Sequence, residues 1–385
     1  MRKNDLLILL MLLIAATGYG QVTDNPLANV SLDYAKYNLN TSNVPEKWED
    51  GMRTDGGKGS YEWWYFDSHL DDGSTVVMIF YTKPFVNLNK DLTPFITMEI
   101  DRPDGTSIKK RYFGAVEEFS SAKDSCNVVI GKNYFRGNLK QYEIHFEDDE
   151  LNITATVERT TESWRPKTGH IVFGADKTDY FAWVVSVPQG KTEIEYTYRN
   201  EKTTAKGSCY HDHNWGNKSI LEAFNHWYWS RAEIGPYNVI ASEMIAEKEY
   251  DSQNIVVFNV SKDGKTVADD GSKVTMYQTY GKIHPTLKKD VSDDIVFIYD
   301  NPNDIFRYEY YLYREKNLLE VDLLEASIES KFKRRLARLL TDFDGAYFRM
   351  TGRAEIRVFK DNVLIETHKS STAVWELMYF GKVGQ

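Results

Sequence analysis

Residues 62–66 read Glu-Trp-Trp-Tyr-Phe, and residues 225–229 read Asn-His-Trp-Tyr-Trp. Each stretch runs on to a glycine (Gly73, Gly235) and then to an apolar run (Val76–Phe80, Val239–Ala241). Bulky aromatic side chains suit the pleated, half-buried surface of a sheet, so both stretches predict strands. The two copies lie 163 residues apart, which leaves each the length of one small barrel. Two β-barrels or half-open barrels in tandem would also dispose of exposed sheet edges, because closure removes them.

The remainder of the chain agrees with an all-β reading. Its 385 residues include 25 Tyr, 19 Phe and 9 Trp. Ile153, Ala155 and Val157 share one face of 152–158, and Ile194, Tyr196 and Tyr198 share one face of 194–198. The run 76–82 follows Asp71-Asp72-Gly73, 97–101 leads into Pro103-Asp104-Gly105, and 255–260 leads into Lys262-Asp263-Gly264. Such triplets are turn formers, so hairpins are expected there. Residues 353–360 and 374–380 predict the closing strands. One stretch departs from this pattern. Between Glu329 and Leu340, Phe332, Leu336, Leu339 and Leu340 fall at helical spacing among Lys331, Lys333, Arg334, Arg335 and Arg338. A surface helix packed on a barrel is expected, or, given its charge, a peripheral contact with an anionic membrane.

At the N-terminus, Arg2 and Lys3 precede an apolar run from Leu6 to Ala16 that is too short to span a bilayer. Gly18 and Gly20 place small residues at the −3 and −1 positions of a cut after Gly20. The expectation is a cleaved secretory signal over 1–20 and an exported product, periplasmic or secreted. An extended lead-in over 21–50 would follow, then one β-barrel domain over 51–216 and a second over 217–385. Export permits a disulfide between Cys126 and Cys209, but their spacing does not show that they meet. The net charge of −10 argues against nucleic acid as a partner. No Gly-rich phosphate loop or Gly-x-Ser-x-Gly elbow is present, and nothing nearby would activate the Cys209 thiol.

Residues 210–216, Tyr-His-Asp-His-Asn-Trp-Gly, hold the densest chemistry. On a strand, Tyr210, Asp212 and Asn214 share one face, while His211, His213 and Trp215 share the other. On the first face, a carboxyl among aromatic groups would have a raised pKa and could serve as a general acid. Trp183, Trp64, Trp227 or Trp229 could then stabilise a developing cation. That set suits protonation of an unactivated alkene, followed by water capture or ring closure, with no cofactor. On the second face, His211 and His213 form a usable zinc pair with His226 as third ligand, leaving an open position for water. No Cys-x-x-Cys or His-Glu-x-x-His accompanies it. A third account has the polar groups satisfying buried backbone at a turn before Gly216.

Three segments, 59–66 (Gly-Ser-Tyr-Glu-Trp-Trp-Tyr-Phe), 180–191 (Tyr-Phe-Ala-Trp-Val-Val-Ser-Val-Pro-Gln-Gly-Lys) and 207–216, together resemble the AttH/CrtC-like lipocalin-domain family. That family includes the carotenoid 1,2-hydratases, or hydroxyneurosporene synthases, alongside cyclases and pericyclases. The resemblance spans most of the chain beyond residue 20 and implies two lipocalin-like β-barrels in tandem. It also implies Asp212 as proton donor to a terminal double bond, with Tyr210 two residues before it. An upstream His-x-Trp pair of the hydratases corresponds to Phe181-Ala182-Trp183, which keeps the tryptophan and puts Phe181 in the place of histidine. Glu62 would be a second polar group of the pocket, or else an ion-pair partner of an arginine such as Arg231.

The expected protein is thus an exported, all-β, lipocalin-like hydratase or cyclase for a hydrophobic isoprenoid or lipid-like molecule. Asp212, Tyr210 and Trp183 would carry the chemistry, and Trp64, Glu62, Asn214, Trp227 and Trp229 would surround the ligand. A non-catalytic carrier of a hydrophobic ligand and a metal-dependent hydrolase using His211, His213 and His226 are the competing readings.

Overall fold

The computed structural model describes residues 28–382 except 86–87, 280, 329 and 341–342. The signal expected over 1–20, the first part of the lead-in (21–27) and Glu329 lie outside the described residues. Strands between Ala28 and Gly216 form a 13-stranded sheet; of those between Phe224 and Tyr379, nine form a second sheet and two, Lys282–Ile283 and Asp290–Val291, a small separate one. The first sheet owes its one-sided core to period-two alternation: Thr75–Tyr81 and Phe95–Asp101 each alternate half-buried and buried residues.

Both sheets curl. Phe80 and Phe135 sit on strands with five others between them in the sheet order, yet their rings meet at 5.8 Å. Phe258 and Phe297 are likewise five strands apart and meet at 6.4 Å. Among the described residues neither ladder closes. The first runs from Ser107–Phe113 at one edge to Phe119–Ser121 at the other, and the second from Lys265–Ala268 to Val274–Thr279. Edge strands of three and four residues, Phe119–Ser121 and Lys265–Ala268, are too short to carry backbone pairing across the gap. Packed side chains fill the curl instead.

Six strands position the site: β1 (Tyr61–Leu70), β2 (Asp179–Tyr198), β3 (Glu201–Gly216), β4 (Phe224–Ile234), β5 (Ala346–Lys360) and β6 (Val363–Tyr379). In the first sheet β3 lies between β1 and β2; in the second β6 lies between β4 and β5. The repeated aromatic pentads fall on β1 and β4. Each of these strands pairs with the strand that follows it and with the last strand of its own sheet, so the two pentads occupy equivalent places in the topology.

Three large apolar clusters fill the molecule, beside a small fourth of Ala182, Val184 and Trp215. One lies inside the first curl (Trp64, Phe66, Phe80, Phe135), one inside the second (Phe258, Phe297, Tyr310, Trp375). The third joins the sheets, with Tyr61, Trp183 and Tyr210 against Phe224, Ile240 and Met244. The described part of the lead-in is woven into the first half. Ala28–Val30 pairs with His170–Phe173, and a 3-10 turn at Lys47–Asp50 drives Glu49 and Asp50 into the core at 2% and 1% exposure. Glu49 is held there by buried Arg165 at 2.7 Å.

The basic helix forms at Lys331–Leu340, with Phe332 exposed; the side chains of Leu336, Leu339 and Leu340 lie outside the described set. No helix among the described residues is long and apolar enough to cross a membrane. Cys126 and Cys209 are both buried with free thiols, and burial pushes both thiols up.

Candidate active site between the two sheets

Alternation along β3 divides the 210–216 motif as the period predicts. Directly opposed residues of an antiparallel pair share a face. Tyr210, Asp212 and Asn214 face the same way as Asp67, Tyr65 and Trp63 of β1, toward the second sheet. His211, His213 and Trp215 face the same way as Phe66, Trp64 and Glu62.

On the first face, Asp212 is 8% exposed and accepts three hydrogen bonds. The Trp183 indole N–H and the Tyr210 hydroxyl donate to one carboxylate oxygen at 2.9 and 2.8 Å, and the Asn214 amide donates to the other at 2.8 Å. Trp183 reaches it because β2 pairs Trp183 with Asn214. Burial pushes the Asp212 carboxyl above its ordinary value, although these three donors pull the other way. His211, on the opposite face of the strand, pulls the same way, and together these do not outweigh burial. Phe181 lies on the same face, packed between Trp63 and Phe224 at 6.1 and 5.9 Å.

The second sheet presents its outer face to this group. Trp229 meets the Tyr210 ring at 5.6 Å, Arg231 stacks over that ring at 4.9 Å, and Arg231 pairs with Asp67. Trp229 lies opposite Glu376 on β6, and Glu376 lies opposite Arg349 on β5. Burial holds the Glu376 carboxyl high; the Tyr347 hydroxyl bonded to it and the nearby Arg349 oppose this, while Asp67 and Asp212 push it further up. Trp63, Tyr65, Trp227, Trp229, Arg349 and Glu376 are all half-buried, so the space between the sheets is open to solvent here. A separate cleft of about 570 Å³, bordered by Val30, Phe258, Asp270 and Met276, contains none of these groups.

The histidine face is closed. His211 sets one ring nitrogen against the Tyr65 carbonyl at 2.8 Å and the other against Asp50 at 3.3 Å. Asp50 also accepts the Tyr142 hydroxyl at 2.5 Å. Burial would raise the Asp50 carboxyl, but His211 and His213 hold it below its usual range. His213 contacts Glu62 at 2.7 Å and stacks on Trp64 at 4.6 Å between ring centres. Glu62 takes further hydrogen bonds from the backbone of Arg53 and Thr54 at 2.6 and 2.9 Å and from the Thr54 hydroxyl at 2.7 Å.

Several sequence expectations are corrected by this arrangement. Trp64 and Glu62 are fully buried on the face away from Asp212, because a period of two assigns that face to even-numbered positions of β1. Trp63, one residue earlier, is the indole that lines the gap. Glu62 pairs with His213, and Arg231 pairs with Asp67 instead. His226 does not join His211 and His213. It lies on β4, bonded to Asn225 and stacked on Tyr379, and burial lowers its pKa to about 4. Among the described residues, the metal-ligating atoms that converge within 4.8 Å belong to Asp50, Cys126 and His211.

Tyr210, Asp212, Asn214, Trp183, Trp227 and Trp229 do border one region, with Trp227 packed on Phe224 and Phe380. Asp50, Glu376 and Arg349 went unnoticed in the sequence. For Glu376 a signal existed: it is the single charge in Val374–Phe380, a strand with apolar residues on both faces.

Comparison with known structures places this curled, all-β architecture among lipocalin-like proteins. A putative AttH from Nitrosomonas europaea superposes with a TM-score of 0.56 at 11% identity, over 89% of this chain and 99% of that one. Kievitone hydratase from Nectria haematococca gives a TM-score of 0.50 at 14% identity, over 88% and 94%. Residues 31–291 match the Diels-Alderase-like family, and the chain belongs to it. A hydroxyneurosporene dehydrogenase from Chlorobaculum tepidum is 26% identical over 229 residues, 50% of this chain and 58% of the relative. The chain therefore spans less than two thirds of that relative's length.

Proposed function

We propose that this protein is an acid catalyst acting on an alkene-bearing hydrophobic molecule bound between the sheets, as a hydratase or a cyclase. The observation that carries the reading is Asp212: a buried carboxyl with a raised pKa, held by three neutral donors beside a gap lined with indoles. In its protonated form it would transfer a proton to an alkene carbon. The carboxylate left behind would be met by donors already aimed at it, so Tyr210, Trp183 and Asn214 stabilise charge as it develops. The faces of Trp63 and Trp229 would stabilise the carbocation. Water capture or attack by a second double bond would complete the reaction. With Phe181 where the resembling hydratases have histidine, no imidazole adjoins Trp183 on this face to activate water, which favours ring closure.

Two coarser expectations join this reading. The two curled sheets are proposed to be lipocalin-like units in tandem, divided near Gly216, and the chain is proposed to be exported after cleavage at Gly20. N-terminal sequencing of secreted or periplasmic material should begin at Gln21.

The catalytic test uses an acyclic isoprenoid with terminal double bonds in deuterated water. Wild-type protein should give product carrying one deuterium at the protonated carbon, and Asp212→Asn should bind the substrate but give none. Full turnover by Asp212→Asn would sink the acid assignment. Binding with no product from wild-type protein would make the molecule a carrier.

A further inference from the structure

We propose that Arg349 binds a singly charged, planar oxyanion, a carboxylate or enolate, on the substrate whose alkene reaches Asp212. The inference rests on the reading of the inter-sheet gap as the ligand site and names the kind of molecule that fills it.

The two guanidiniums of the gap differ in commitment. Arg231 is already paired with Asp67, whose second oxygen takes the Tyr65 hydroxyl at 3.1 Å. Arg349 stands opposite Glu376 in the ladder, but Glu376 accepts the Tyr347 hydroxyl instead. The Arg349 Nε is buried without a hydrogen-bond partner, and among the described residues no ion pair or hydrogen bond reaches its guanidinium. A half-buried cation left in this state is costly unless something pairs with it.

Asp67 is already taken by Arg231, and Glu376 and Asp67 act on Arg349 only through space, without a hydrogen bond to its guanidinium. A guanidinium offers its donors in a rigid fork that matches a carboxylate or an enolised dicarbonyl. Asp67 close by disfavours a dianion such as a phosphate monoester. The apolar body of the ligand would lie against Trp229 and Met378, which share this face of the second sheet. Recognition would thus use a charged head at Arg349 and leave the unsaturated chain to extend toward Asp212.

The test compares a fluorescent conjugated fatty acid, cis-parinaric acid, with the corresponding alcohol. Binding is read from energy transfer out of tryptophan. Wild-type protein should bind the acid about tenfold more tightly than the alcohol, the scale of one charge-assisted contact. Arg349→Gln should erase that preference while leaving alcohol binding within about twofold, and Arg349→Lys should restore part of it. Equal affinity of wild-type protein for both probes, or affinity for neither, overturns the proposal, and neither result depends on a variant folding. So does equal weakening of both probes by Arg349→Gln. Asp212→Asn should keep the acid preference intact. If catalysis proves indifferent to Asp212 while that preference holds, the functional reading fails and the binding inference stands.

Discussion

Asp50 and Asp212 are both buried carboxyls within one strand's width of each other, and they are driven in opposite directions. Asp50 faces His211 and His213 inside the first curl and is held below its ordinary value. Asp212 projects from the opposite face of β3 among three neutral donors and is pushed above it. Burial raises both, so burial is not what distinguishes them. The partners are: His211 and His213 together outweigh burial at Asp50, while at Asp212 a phenol, an indole, an amide and a lesser pull from His211 do not.

The strongest way to break this contrast is to remove the acid. Asp212→Asn should lower turnover about 10²- to 10⁴-fold, the usual contribution of a positioned general acid, with little change in binding. Steady-state kinetics with an isolated ligand would read it. Next in size is the structural partner. Asp50→Asn keeps one acceptor oxygen but removes the negative charge of this buried network and should cost about 3–5 kcal/mol in urea unfolding, since a buried pair has lost its charged member. An unchanged midpoint would mean that the network is not ionic.

A smaller effect is expected at Trp183. Its indole bond favours the ionised form of Asp212, so Trp183→Phe should raise the pKa of the acid further. A reaction driven by protonated Asp212 declines as pH rises through that pKa, so the alkaline limb of the rate profile should move to higher pH. The lost hydrogen bond to the developing carboxylate should lower the maximal rate about threefold to tenfold. A limb that stays in place would separate Trp183 from the acid.

The smallest effect is also the most discriminating. Asp212 has a folded pKa above its unfolded value near 3.8, so it holds a proton that the unfolded chain would release. Its contribution is a penalty, absent below the unfolded pKa and growing as pH rises toward the folded one. Asp50 has the reverse sign. It stabilises the fold above its unfolded pKa, and that stability is lost as pH falls through its lower folded pKa. Asp212→Asn should therefore stabilise the protein by about 1 kcal/mol at neutral pH, a common exchange of function for stability. If both asparagine variants destabilise equally, the two aspartates do not differ as argued.

Much of this was legible from spacing alone. The hairpins around Gly73, Gly105 and Gly264 fall where the turn residues put them, and the strand expected at 152–158 spans Leu151–Arg159. The two faces of residues 210–214 follow from a period of two. Trp64 shows the limit of such reasoning, because without a register a pair of adjacent indoles cannot be assigned to faces, and a shift of one residue exchanges them. The Trp183–Asp212 hydrogen bond was not legible, since the sequence offered Trp183 as a cation-stabilising ring and not as a donor to the acid. Asp50 sits in a segment with no regular pattern, and Arg349 and Glu376 reach the gap through the packing of one sheet on another, which no local spacing encodes.

The origins of the site's parts have a consequence for how such proteins diversify. The acid and all three of its holders come from β2 and β3 of the first sheet, whereas Arg231, Arg349, Glu376 and Trp229 come from the second. Each sheet fills its own interior with a separate apolar cluster. On the proposed reading, substitutions on the outer face of β4, β5 and β6 would alter which molecule is admitted without disturbing the proposed proton donor or either core. Reactivity would then be inherited on one half of the chain while selectivity drifts on the other.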